Sequence, residues 1–278
     1  MRILAAIVAL AMVAVPAAAA PRVLSLDSCA DQYVLELADR DQIAAVSPRA
    51  QQDDSWHRDR ARGLPVVRDA AESAAALKPD IAVRAWGGGA LAERWYPRLG
   101  IRIVSLQRAD DFAGVAANIM RVAEALDQGP RGAALVAAME ARLAAVDARV
   151  AALGPRPAAL YLTPAGVTTG EGGFLDMLIR RAGFTNAAAE AGLAGWGTVP
   201  LEELVLAPPG QLVTAFFETG ATRTATWSPG RHPRIRRLLA ETPAIALPSS
   251  TVTCPAWFAV DALERMTATV EASLDADP

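Results

Sequence analysis

From Asp111 to Leu153 the chain carries no strand pattern, only Ala, Leu, Val, Arg and Glu at helical spacing, and strand–helix alternation lies on both sides of it. No other feature constrains the fold as much. Gly129-Pro130 interrupts the stretch, and beyond that break Arg131 to Ala152 runs on without another. Leu135, Met139, Leu143 and Val146 recur at helical intervals and form a single apolar stripe. Gly154-Pro155-Arg156-Pro157 stops the helix. A helix of this length between two α/β regions is a rigid strut.

Before the strut, Arg22 to Leu26 reads as a strand, Asp27-Ser28 as a helix cap and Cys29 to Ala38 as a helix. Ile43 to Val46, Ile81 to Ala85 and Ile101 to Leu106 are further strands, with helices expected over Ala70 to Leu77 and Ala90 to Leu99. The polar stretch Gln51 to Arg62 reads as loop. After the strut, strands are expected at Ala158 to Leu162, Gln211 to Phe216 and Ile245 to Leu247. Helices are expected at Phe174 to Ala182, Leu201 to Leu206 and Phe258 to Leu274. Strands alternating with helices at short intervals specify parallel, doubly wound sheets. The predicted architecture is therefore two doubly wound α/β lobes joined by one long rigid helix, with a ligand cleft between them.

The first twenty residues set the compartment. Met1-Arg2 is a short positive start, Ile3 to Val15 an apolar run of 13 residues, and Pro16 to Ala20 a small-residue region. This is the pattern of a cleavable secretory signal peptide, and the run is shorter than the roughly 20 residues a membrane span needs. The organisation expected is a leader over 1–20, an N-terminal lobe over 21–128, a connecting helix over 129–153 and a C-terminal lobe over 154–278. Losing Arg2 with the leader takes the net charge from −3 to −4, which speaks against nucleic acid as a partner. Cys29 and Cys254 lie far apart, and in an oxidising compartment they form either one disulfide or two buried thiols; sequence alone supplies no geometry to decide.

Catalytic signatures are missing. There is no Gly-x-Ser-x-Gly elbow, no phosphate loop and no His-Glu-x-x-His, and the two histidines, His57 and His232, are too few for a bare metal-ion site. No enzyme, resident metal or cofactor is expected. Thr169 to Gly173 reads as a glycine turn in preference to an anion site at a helix start. The aromatic residues say more. Trp86, Trp196, Trp227 and Trp257-Phe258 all sit beside glycine, proline or a strand end instead of inside helical stripes. In open α/β sheets ligands bind beyond the carboxyl ends of strands, and flat rings there cover a large planar ligand at low entropic cost.

Several segments resemble the helical-backbone (type III) periplasmic substrate-binding proteins of the iron-siderophore, haem and cobalamin importers. They are Arg22-Val-Leu-Ser-Leu26, Leu77-Lys-Pro-Asp80, Leu99-Gly-Ile-Arg-Ile103, Asn118-Ile119 through Leu126, Thr169-Gly170, Leu178 to Gly183, Asn186 and Trp196 to Glu203. The stretch Leu77 to Arg94 most resembles the cobalamin-binding branch. The resemblance implies ligand contacts from Trp86, Gly87, Trp196, Trp257 and Phe258, and docking of Glu72 and Glu202 on arginines of an ABC permease at the inner membrane. It also implies a periplasmic monomer that carries a corrinoid or related metal chelate. Val167, Pro48-Arg49, Ala256 and Val260 depart from the cobalamin-binding pattern. The alternative cargo in the same fold is a ferric siderophore, read by Arg49, Arg84 or Arg223, or haem, bound through Tyr33, Tyr96, Tyr161 or His57.

Overall fold

The structure is a computed structural model and describes residues 20–67, 76–85, 90–154, 156–199, 206, 208–218 and 232–275. The expected leader apart from Ala20, most of the helices expected over Ala70 to Leu77 and Leu201 to Leu206, and Glu72, Trp86, Gly87, Glu202, Arg223 and Trp227 lie outside the described residues.

The N-terminal sheet is wholly parallel, with strands β1 (Val23–Ser25), β2 (Ile43–Ala45), β3 (Ile81–Arg84) and β4 (Arg102–Ser105) in the order β2-β1-β3-β4. Helix α1 (Ser28–Leu37) starts where the Asp27 carboxylate accepts the backbone N–H groups of Cys29 and Ala30, an N-cap bond at each. Its Val34 and Leu37 join Val23, Ile81 and Val83 in the main core. On the other face of the sheet Leu24 and Ala82 pack with Tyr96 and Ile101, so helices and turns cover both sides. The stretch read as one helix from Ala90 to Leu99 is in fact α2 (Ala90–Trp95) followed by a 3-10 turn over Pro97–Leu99, where the proline lacks the N–H an α-helix would use.

Helix α3 (Phe112–Ala125) leads into the strut, α4 (Gly129–Ala151). Gly129-Pro130 begins the strut instead of interrupting it, since proline costs nothing in a first turn whose N–H groups are unpaired anyway. Gly132 lets α3 close on it: a Cβ there would stand 2.4 Å from the Cβ of Ala123. Met139, Leu143 and Val146 are buried along the expected stripe, worth about 2 kcal/mol each in apolar burial.

The C-terminal sheet repeats the first. Strands β5 (Ala158–Leu162), β7 (Thr185–Asn186), β9 (Gln211–Thr214) and β10 (Ala244–Ala246) run parallel in the order β10-β9-β5-β7, so in both sheets the first strand pairs the second on one side and the third on the other. Ala159, Tyr161 and Val213 face the main core, while Leu160, Leu162 and Leu212 face α6 (Ala187–Glu190) and α7 (Pro233–Glu241). This alternation is the period-two pattern of a strand buried on both sides. Helix α5 (Phe174–Arg181) and the last helix, α8 (Ala259–Asp275), complete the lobe. Arg142 of the strut binds Asp261 and Glu264 on α8, and Arg149 binds Glu271. One continuous core runs from β1 through α4 to β9. No described helix is long and apolar enough to cross a membrane.

Candidate functional site

Strand order in each sheet reverses beside its first strand, which opens a crevice at the carboxyl ends of β1 and β3 in one lobe and of β5 and β9 in the other. These two edges meet at a single segment. Beyond β10, Thr253 donates its hydroxyl to the Asp54 carbonyl at 3.1 Å, and the Tyr33 hydroxyl donates to the Pro255 carbonyl at 2.9 Å. Cys254 is disulfide-bonded to Cys29 in the first turn of α1. Trp56 stacks on Phe258 with ring centroids 5.0 Å apart, and Tyr33 meets Trp257 edge-on at 5.3 Å. The segment is thus the floor of a cleft between the lobes.

On the N-terminal side, Asp27 caps α1 with one carboxylate oxygen and accepts the Ala85 N–H with the other at 2.6 Å. This bond fixes the chain immediately ahead of Trp86. Asp31, fully buried, accepts both the backbone N–H (2.9 Å) and the hydroxyl (2.5 Å) of Ser47, and so holds the turn carrying Pro48-Arg49. Burial pushes its carboxyl up to about 6, against the opposing bonds from Ser47 and Ser25. Arg49 pairs with Asp54, while Arg84 is buried and paired with Glu93.

On the C-terminal side, β5 ends in a turn in which Val167 N–H donates to the Thr163 hydroxyl at 3.1 Å. Strand β6 (Val167–Thr169) then pairs antiparallel with β8 (Trp196–Thr198), a small two-stranded sheet the sequence reading did not contain. Gly170 makes it possible, because a Cβ there would lie 1.9 Å from the Leu193 carbonyl oxygen. The N–H groups of Gly170, Glu171 and Gly172 go to Gly195, Leu193 and the Asp176 carboxylate, so these three donors of the glycine turn are spent within the protein. The small sheet carries Trp196, 65% exposed, its indole edge-on to Tyr161 at 6.3 Å. Just beyond β9, Phe216 takes φ +68°, a strained value for a bulky side chain, and donates its N–H to the Ser249 hydroxyl at 2.8 Å.

Of the residues expected to meet a ligand, Trp196 stands open at a strand end. Trp257 and Phe258, 8% and 1% exposed, are instead packed into the junction against Tyr33, Trp56 and His57. The three tyrosines named as haem ligands are each 1% exposed or less, and His57 lies 2.9 Å from the Glu36 carboxylate. Burial raises the Glu36 pKa, but the His57 bond and neighbouring positive charges outweigh it and hold the carboxyl below its usual range. Asp27 is the cap the sequence suggested, but its tie to Ala85 and the hold of Asp31 on Ser47 were missed, because a carboxylate's distant partner is not visible until the loop it holds is seen.

Two parallel-sheet lobes on one helix, with an open tryptophan at the cleft edge, define a two-lobed ligand-binding protein. The family model described as periplasmic binding protein matches residues 23–217, and the chain belongs to that family. Among solved structures it is similar to the periplasmic haem-binding protein RhuT from Roseiflexus sp. RS-1, with TM-score 0.71 and 22% identity over 92% of this chain and 99% of that one. It is also similar to the periplasmic vitamin B12 binding protein BtuF of Vibrio cholerae, with TM-score 0.69 and 19% identity over 92% and 98%. An ABC-type Fe3+-hydroxamate transport system protein from Saccharomonospora viridis gives TM-score 0.63 and 22% identity over 90% and 93%. A search of the curated proteins by sequence returns no match.

Proposed function

We propose that this chain is the substrate-binding component of an ABC importer, exported by the leader over 1–20, and that it carries a corrinoid or related metal chelate to an inner-membrane permease. The observation that carries the reading is Trp196, an indole left open on the small antiparallel sheet of β6 and β8 at the edge of the interlobe cleft. A flat, mostly apolar ring in that position suits a large planar ligand. Trp86 and Gly87, which lie outside the described residues, are assigned to the ligand by resemblance, and Trp257 and Phe258 back the cleft floor. Glu72 and Glu202, one per lobe, dock on permease arginines, where such pairs govern orientation and association rate more than affinity.

Tyr33 spends its hydroxyl on the Pro255 carbonyl, Tyr96 is buried within the N-terminal lobe and His57 faces Glu36, which favours a corrinoid ahead of haem. A ferric siderophore is the second reading, supported by half-exposed Arg49. Trp196→Ala is expected to weaken cyanocobalamin binding by roughly tenfold to a hundredfold, as loss of a stacked aromatic anchor does. Unchanged affinity in a calorimetric titration would show that the ligand sits elsewhere. Charge reversal at both Glu72 and Glu202 is expected to abolish uptake by whole cells while leaving binding intact, and normal uptake would remove the docking assignment.

A further inference from the structure

Beneath Trp196 lies a polar group for which the fold has no use. The Tyr161 side chain is 0% exposed, and among the described residues its hydroxyl has no hydrogen-bond partner. A buried hydroxyl without a partner is disfavoured, and such groups are rare in native folds. It sits on β5, next to the strand-order switch, with its ring against Trp196. The exposed Glu218, in the segment that leaves β9 at the same switch, acts on it electrostatically. One Glu218 oxygen is fixed by the backbone N–H and hydroxyl of Ser249, the latter at 2.6 Å. The other carboxylate oxygen has no partner among the described hydrogen bonds.

We propose that the Tyr161 hydroxyl and the Glu218 carboxylate form a carboxamide-reading subsite beneath Trp196, so that the cargo is a chelate fringed with amides instead of carboxylates. The inference rests on the chelate-binding reading above and names the chemistry of the ligand's edge. A primary amide presents one acceptor and two donors. Its carbonyl takes the phenolic hydrogen when the indole shifts to cover the ligand, and its N–H reaches the free Glu218 oxygen. Burial, and after it the Glu218 charge, push the Tyr161 pKa up, so the phenol remains a donor across the physiological range. A carboxylate-fringed ligand meets repulsion from Glu218 at the same place. This is discrimination by an unfavourable charge as much as by a favourable bond.

The test is calorimetric titration of the mature protein and of Tyr161→Phe, Glu218→Gln and Trp196→Ala with two probes, cyanocobalamin (amide-fringed) and hemin (carboxylate-fringed), with a melting curve for each variant. Tyr161→Phe is expected to lose roughly tenfold in cyanocobalamin affinity while melting at the same temperature or about 2 °C higher, because it removes an unpaired hydroxyl. Glu218→Gln, which still accepts from Ser249, is expected to bind hemin more tightly than the native protein does. Native affinity for cyanocobalamin in Tyr161→Phe overturns the subsite, and so does a melting point several degrees lower, which reveals a structural partner for the hydroxyl. Tighter native binding of hemin than of cyanocobalamin overturns the amide preference and leaves the importer role standing. Binding of neither probe, or binding indifferent to Trp196→Ala, overturns the chelate reading and this inference with it.

Discussion

Two aspartates four residues apart, Asp27 and Asp31, do most of the positioning on the N-terminal side of the cleft. Asp27 ties the end of β3 to the start of α1, and Asp31 ties the Ser47 turn to the same helix. Asp31 does this at a cost that depends on pH. Its carboxyl, raised from 3.8 to about 6, holds its proton better in the folded state than in the unfolded one. The stability it lends is therefore full below the unfolded pKa and is lost as pH rises through about 6. At about 1.4 kcal/mol per unit the difference amounts to roughly 3 kcal/mol. Urea denaturation at pH 4.5 and pH 7 is expected to show about 2 kcal/mol of that loss, the rest having gone already below pH 4.5, and Asp31→Asn is expected to flatten the dependence. An Asp31→Asn protein with the native pH profile would contradict the assignment.

At the scale of elements, the small sheet of β6 and β8 matters most, and its packing leans on one residue. Gly170→Ala forces its new Cβ against the Leu193 carbonyl, a backbone neighbour that cannot rotate away. The expected cost is about 1–3 kcal/mol, typical of overpacking, together with weaker ligand binding as Trp196 moves. Native melting and affinity in this variant would mean that the small sheet tolerates the displacement. The same sheet marks the limit of what the sequence conveys. The long strands and the strut were legible because Ile81 to Val83, Ala158 to Leu162 and the Met139-Leu143-Val146 stripe carry clear periodicity. Three residues of Val-Thr-Thr and three of Trp-Gly-Thr, the latter with glycine at its centre, carry none. Helix α7 was also absent from the reading, since Pro233 looks like a breaker until it is seen in the first turn, with His232 accepting the Arg234 N–H ahead of it. Trp196 was singled out by its place beside glycine as well as by resemblance, and the packing of Trp257 and Phe258 into the junction was not legible, because it depends on Trp56 and Tyr33 from the other lobe.

Across the whole molecule, the lobes are joined twice. The strut α4 carries one connection, clamped to α8 by partly exposed arginine–carboxylate pairs that individually contribute about 1 kcal/mol or less. The Cys29–Cys254 bond carries the other and closes a loop of 225 residues. Its removal in a Cys29→Ser, Cys254→Ser protein is expected to cost about 2–5 kcal/mol, read as a lower guanidinium midpoint than that of the oxidised native protein. Equal midpoints would mean that the junction is held by packing alone. With two connections and one continuous core, the expected motion on binding is a small closure over the cleft. The claim that most needs a direct test is that this cleft holds a metal chelate. The measurement is calorimetric titration of the protein lacking residues 1–20 with cyanocobalamin, hemin and a ferric hydroxamate siderophore in turn. The account predicts one-to-one binding of cyanocobalamin, tighter than that of either other probe. Failure of all three to bind would contradict it.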